Sequence, residues 1–230
     1  MRVVIKVGGH LVCPEGGPDP AYISGLASTL RACARETEAM IVVVGGGTIA
    51  RRYIEVARAL GVGEGGCDAL GILVSRVNAS LVSAAYWGGV PQPVAETLED
   101  AVRTARAEGV AFMGGLQPGQ STTTVAALAA EALPADLLVI ATDVEGVYTS
   151  DPRRDPSAKL LRRASVRELR RMFSRVDRAG GYKLLDPYTL DILERSRIRA
   201  RVVCGSPPSN ILAAVRGEDV GTLVEPAKPF

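Results

Sequence analysis

Four apolar runs in this chain each stop at a turn chemically suited to a ligand. They are Arg2–Val7, residues 41–44, Val110–Met113 and residues 136–141. Runs without polar alternation fit strands covered on both faces, the pattern of a parallel sheet. Three of them end at glycines: Gly8-Gly9, Gly45-Gly46-Gly47 and Gly114-Gly115. The fourth ends at Thr142-Asp143. Helical spacing follows each turn, so the expected fold is α/β, a three-layer αβα sandwich with a mainly parallel central sheet. In such sheets ligands bind beyond the carboxyl ends of the strands. All four turns are then expected on one rim.

The stretch from Gly114 to Thr124 carries three glycines and four consecutive hydroxyl residues, Ser121 to Thr124. Glycine lets the backbone turn sharply and approach a ligand closely. The free N–H groups and dipole of a helix start favour an anion. Ser121 and Thr122 can equally serve as caps for the alanine-rich helix that follows. Lys6 interrupts the first strand just before its glycine turn, where it can reach a phosphate or simply extend to solvent. Arg51 opposes the dipole at the start of its helix, so a nearby anion would rationalise it. Asp68 reads as a cap of a helix over residues 70–85, or as a polar ligand contact.

Other elements follow from periodicity. Residues 21–38 place Ile23, Leu26, Ala27, Leu30 and Ala34 on one face. The helix after Gly47 directs Ile49, Tyr53, Val56, Ala57 and Leu60 inward, with Gly61 as terminator. The next helix directs Leu70, Leu73, Val74, Val77, Leu81 and Val82 inward. Residues 91–94 read as a short strand, 98–106 as an amphipathic helix and 144–152 as a hairpin. Ser165 to Glu168 is a capping box opening a helix to about Phe173. Arg162, Arg163, Arg167, Arg170 and Arg171 around it form a solvated face. Residues 175–183 read as a mobile loop, 187–195 and 211–215 as helices, and 200–204 and 221–224 as strands.

Hydrophobic residues make up 47% and charged residues 23%, as in ordinary globular proteins. A net charge of +2 argues against nucleic acid as a partner. No continuous apolar run reaches the roughly 18 residues that span a bilayer. A strand pattern begins at once, so no signal peptide is expected and the location is expected to be cytoplasmic. Cys13, Cys33, Cys67 and Cys204 are scattered, and His10 is the only histidine. That leaves no thiol or imidazole cluster for a metal, and a nucleophile–histidine pair only through His10.

These turns lack G-x-x-x-x-G-K-[ST] and G-x-G-x-x-G, so the residues alone reach an anion-binding α/β protein suited to phosphotransfer. Taken together, Lys6-Val7-Gly8-Gly9, Val44-Gly45-Gly46-Gly47, Gly114-Gly115 and Thr142-Asp143-Val144-Glu145-Gly146-Val147-Tyr148 resemble the amino acid kinase family. Within it the chain is most similar to archaeal-type uridylate (UMP) kinases. The more specific matches are the segment from Gly47 to Ile54, Leu70-Gly71-Ile72 with Ser75-Arg76-Val77-Asn78-Ala79, Gln117 to Thr122, and Leu185-Asp186-Pro187 with Glu194-Arg195-Ser196.

The resemblance implies a single amino acid kinase domain over residues 1–230, with a phosphoryl-acceptor half over about 1–135 and an ATP-binding half over about 136–230. It implies ATP-dependent phosphorylation of UMP to UDP in pyrimidine nucleotide biosynthesis, with Mg²⁺ held through ATP and no protein metal site. UMP-binding residues would be Gly46, Asp68, Leu116, Gln117, Pro118, Gly119, Gln120, Ser121 and Thr122. ATP would meet Gly8, Gly9, His10, Gly47, Arg51, Thr142, Tyr148 and Asp151. Lys6 would stand beside the transferred phosphoryl group with Asp143 orienting it. A homohexamer built from dimers and inhibition by UTP are also implied.

The chain departs from that pattern in two places. His10 stands where relatives often have a small hydroxyl residue. Asp143-Val144-Glu145 replaces an asparagine-containing version and resembles acetylglutamate and aspartate kinases. A carboxylate-phosphorylating kinase therefore stays open, as does a non-catalytic nucleotide- or oxyanion-binding relative. The absence of a histidine after the glycine triplet speaks against isopentenyl phosphate as acceptor.

Overall fold

The computed structural model describes residues 1–174 and 185–227. The elements in order are β1 (Arg2–Val7), α1 (Gly9–Val12), α2 (Pro20–Glu36), β2 (Ala39–Val44), α3 (Gly47–Ala59), α4 (Glu64–Tyr86), α5 (Leu98–Glu108), β3 (Val110–Met113) and α6 (Thr122–Ala132). Then come β4 (Leu137–Thr142), β5 (Arg163–Ser165), α7 (Val166–Ser174), α8 (Pro187–Arg195), β6 (Arg199–Cys204), α9 (Ser209–Val215) and β7 (Thr222–Glu225).

One seven-stranded sheet runs β3-β2-β1-β4-β6-β7-β5. Every pairing is parallel except β6 with β7. The four strands read from continuous apolar runs lie side by side as β3-β2-β1-β4, with β3 at one edge of the sheet. Alternation along β1 sends Val3, Ile5 and Val7 to the layer of α2, α4 and α9, and Val4 to the layer of α5, α6, α7 and α8. Each such residue is fully buried, worth about 2 kcal/mol of apolar transfer. By the same alternation Lys6 lies on the α6 side of the sheet.

Several expectations are corrected. Residues 91–94 form no strand; only Ala95 makes an isolated bridge, to Met113. The segment 144–152 contributes a single antiparallel bridge, Tyr148 to Leu160, rather than a hairpin of strands. Helix α4 starts at Glu64, so Asp68 lies inside it and is not its cap. The apolar stripes of α3 and α4 face largely outward: Ala57 and Val82 are buried as expected, but Tyr53, Val56, Leu60, Leu73, Val77 and Leu81 are exposed. The inner side of α4 mixes Cys67, Ala79 and Val82 with polar Ser75, Asn78 and Ser83; Ser75 and Asn78 bond backbone groups of the glycine turns packed against them. Helix α4 is also long and apolar enough by composition to cross a membrane, yet Ala79 and Val82 pack in the sheet-covering core. The expected loop over 175–183 lies outside the described residues.

The local signals otherwise fold as read. Ser121 caps α6 by accepting from Thr124 N at 3.0 Å. Ser165 and Glu168 exchange capping hydrogen bonds at 3.2 and 2.7 Å. Gly61 ends α3 at φ +82°.

Candidate active site

Parallel register brings the ends of β1, β2 and β4 level. Lys6 stands opposite Val43 on one side and Ile140 on the other. The glycine turns beyond these ends touch backbone to backbone. A Cβ on Gly9 would lie 2.1 Å from Gly47 N and 2.4 Å from Gly45 O. One on Gly45 would lie 2.8 Å from Gly9 N and 3.3 Å from Thr122 Oγ1. Gly47 itself needs the left-handed region, at φ +68°. The starts of α1, α3 and α6 therefore meet around one point, just beyond the carboxyl end of β1 that carries Lys6.

Burial pushes the Lys6 amine down to about 8, and the Asp143 charge partly restores it. The amine is thus mostly charged near neutrality. Asp143 follows β4, where Thr142 donates to its Oδ1 at 3.3 Å. Burial pushes the Asp143 carboxyl up, but His10 and Arg153 overcome this and hold it below the ordinary aspartate value. Arg153 donates directly to Asp143 Oδ2. Nothing in the Asp-Pro-Arg-Arg sequence signals that contact, because a turn rather than a periodic element delivers Arg153.

His10 is the first side chain of the turn after β1. Its ring folds over Gly8, where a Cβ would lie 2.7 Å from His10 Cε1. Its Nε2 is buried without a hydrogen bond, 3.7 Å from Asp143 Oδ1. Burial lowers its basicity, and Lys6, Arg51 and Arg153 lower it further against the pull of Asp143. At neutral pH this contact is therefore not an ion pair. Arg51 lies close enough to act on His10 electrostatically, so the basic side of the rim holds Lys6, Arg51 and Arg153.

Helix α4 organises the other side. Asp68 Oδ2 accepts from Gly119 N at 2.8 Å. Ser75 Oγ accepts from Gly115 N at 2.7 Å and donates to Ile72 O. Asn78 Nδ2 donates to Gly45 O at 2.9 Å and Gly46 O at 3.2 Å. Positions 68, 75 and 78 recur at helical spacing, so one face of α4 clips the β2 and β3 turns together. Along the same loop Leu116 packs against the core, Gly119 turns at φ +83° and Gln120 Oε1 is buried with no partner.

Ser121 has a second commitment. It donates to Asp186 Oδ2 at 2.7 Å, and Thr124 and Thr189 donate to the same carboxylate at 2.9 Å each. Asp186 also caps α8. Burial raises its carboxyl, and these hydrogen bonds, led by Thr189 N, bring it below the ordinary value. A carboxylate thereby joins the heads of α6 and α8. Further along the ATP-side segment, Tyr148 donates to Glu145 Oε2 at 3.2 Å, and Asp151 Oδ1 accepts from Arg153 N at 3.0 Å.

Three helix starts meeting beyond a half-buried lysine at the end of β1 are the geometry of an anion-binding α/β protein. Its residues 1–204 match the model of the amino acid kinase family. The uridylate kinase of Thermofilum pendens is 51% identical over 96% of this chain and 97% of its own length. That of Hyperthermus butylicus is 46% identical over 96% and 97%. The crystal structure of uridylate kinase from Archaeoglobus fulgidus superposes with a TM-score of 0.86 at 38% identity, covering 97% of this chain and 100% of that one. A UMP kinase structure from Bacillus anthracis shares the fold, with a TM-score of 0.84 at 21% identity over 99% and 96%. The chain belongs to the amino acid kinase family.

Proposed function

We infer that the chain transfers the terminal phosphoryl group of ATP to UMP, yielding UDP and ADP. The observation that carries this reading is the meeting of the Gly9, Gly45–Gly47 and Thr122 turns just beyond the end of β1, next to Lys6. In this reading the first half, residues 1–135, holds UMP on Gly46, Asp68 and the loop from Leu116 to Thr122. ATP lies along Gly8, Gly9, His10, Gly47, Arg51, Thr142, Tyr148 and Asp151, reaching into the half from residue 136.

The chemistry asks little of a base. The second ionisation of a phosphate monoester lies near ~6, so UMP is mostly dianionic at neutrality. What remains is neutralisation and in-line alignment of two mutually repelling phosphates. Lys6 and Arg51 supply fixed positive charge, and the glycine turns supply N–H groups. Among the described residues no group of three His, Cys, Asp or Glu side chains could hold a metal. Magnesium would be held through ATP and supply further neutralisation of its phosphates. Asp68, on α4 and hydrogen-bonded to the acceptor loop at Gly119 N, suits a ribose hydroxyl and would repel a free carboxylate substrate.

An ADP-release assay with UMP, CMP, acetylglutamate and isopentenyl phosphate in parallel tests the reading. UMP is expected to give by far the fastest release. Faster turnover of acetylglutamate would move the activity to carboxylate phosphorylation, and no ADP with any acceptor would leave a binding protein.

The outward apolar stripe of α3 and α4, with Val56 at 61% and Val77 at 67% exposure, is the surface we assign to the first dimer contact of a hexamer. Val56→Glu with Val77→Glu is expected to elute from a sizing column as a smaller species than the parent. A parent that sediments as a monomer removes the assignment. Inhibition by UTP, a cytoplasmic setting and a place in pyrimidine nucleotide synthesis complete the proposal.

A further inference from the structure

We propose that Asn78 is a positioning residue serving both substrates at once. The proposal rests on the reading of the rim as a phosphotransfer site and adds a residue that touches neither ligand. Asn78 is 4% exposed, so its amide must find its partners inside the protein. It spends both N–H bonds of Nδ2 on consecutive backbone carbonyls, Gly45 O at 2.9 Å and Gly46 O at 3.2 Å.

Those two carbonyls belong to the peptide groups that also contain Gly46 N–H and Gly47 N–H. A trans peptide holds its C=O and N–H on opposite sides. Carbonyls pinned into α4 therefore turn the two N–H groups away from α4. Gly46 has helical dihedrals and Gly47 opens α3, so the Gly47 N–H leaves the positive end of that helix. A donor on each carbonyl also polarises its peptide group, which strengthens the N–H on the far side. Gly46 is assigned to UMP and Gly47 to ATP, so one side chain sets the donors on both sides of the transferred group.

Glycine makes this control necessary. Three consecutive glycines have no side chains to restrain their peptides, and the Gly47 turn sits against Gly9 with no room for any. Ser75, one turn earlier on α4, does the same kind of work on a different turn. Its hydroxyl holds Gly115 N and donates to Ile72 O, and so spends its hydrogen bonds away from the glycine triplet. The two residues therefore predict different patterns.

The test uses the full chain and separate calorimetric titrations with UMP and with ATP–magnesium. Asn78→Asp, which turns an acceptor onto two carbonyls, and Asn78→Ser, which keeps one short donor, are compared with Ser75→Ala. Both Asn78 variants are expected to weaken UMP and ATP alike by about tenfold or more, while Ser75→Ala weakens UMP alone. Steady-state kinetics should show KM rising for both substrates in the Asn78 variants. A side chain that merely fills the core would lower the unfolding midpoint and leave both affinities unchanged below it; that result overturns the proposal. Loss of affinity for one ligand only overturns it as well. If the Asp variant does not fold, the Ser variant decides by the same criterion. A parent chain that binds both ligands and releases no ADP ends the kinase reading, yet the titrations still judge Asn78.

Discussion

Lys6→Ala is expected to lower kcat for UMP by about a thousandfold, with little change in cooperative unfolding. The amine stands at the end of β1, opposite Val43 and Ile140, where the glycine turns of both substrate sides meet. Negative charge accumulates there as the phosphoryl group moves, and no other lysine among the described residues occupies the rim. Lys159, the nearest described alternative in type, lies in the segment after β4 and pairs its backbone with Thr149. A fixed charge aimed at the developing oxyanions acts mainly on kcat, because it matters most when the charge is greatest.

Its titration gives the prediction a second check. Burial lowers the amine to about 8 and Asp143 pulls it back up. Lys6 is therefore charged below that pH and neutral above it. For the free enzyme, kcat/KM for ATP should fall as pH rises through about 8. Asp143→Asn removes the charge that sustains the amine, so this limb should move to lower pH while much of the activity survives below neutrality. In Lys6→Ala the limb should vanish. Equal losses in both variants at all pH values would show that Asp143 does more than orient Lys6.

Gly9→Ala is expected to abolish binding of both nucleotides and to destabilise the fold by about 3 kcal/mol. The new Cβ would stand 2.1 Å from Gly47 N and 2.4 Å from Gly45 O. Both obstacles are backbone, so no side-chain rotation relieves the overlap. The β2 turn must move instead, and with it the contacts to Asn78. Gly16→Ala is the control. Nothing lies within 4 Å of its Cβ, so its urea midpoint should stay within about 0.5 kcal/mol of the parent. A Gly9 variant that matches the control and still binds ATP would mean the turns do not touch.

Much of this was legible in the residues. The runs ending at Gly8, Gly45 and Gly114 became β1, β2 and β3, because uninterrupted β-branched and aliphatic runs have few alternatives to a doubly covered strand. The Ser121 and Ser165 caps were legible because capping is local chemistry. The stripes of α3 and α4 were legible as stripes, yet of their expected inward residues Ala57 and Val82 are buried while Tyr53, Val56, Leu60, Leu73, Val77 and Leu81 face out. A hydrophobic period states that a face needs cover and not which neighbour supplies it. The short strand β5 carries three residues of arginine, alanine and serine, too few for a period. Arg153 and Asp186 act through contacts 10 and 65 residues away, at Asp143 and Ser121, which no local pattern encodes.

The amino-acid order alone determined the layered α/β plan, the strand–glycine–helix turns and their common rim, since each depends on neighbours within a few residues. Only the tertiary structure decided that α4 sets Ser75 and Asn78 on those turns, beside buried Ala79 and Val82, and leaves Leu73, Val77 and Leu81 exposed. The reason is that the glycine backbones offer hydrogen-bonding groups but no side chains. Whatever packs on them must bring amides, hydroxyls and carboxylates, and that requirement appears only when distant segments are placed together.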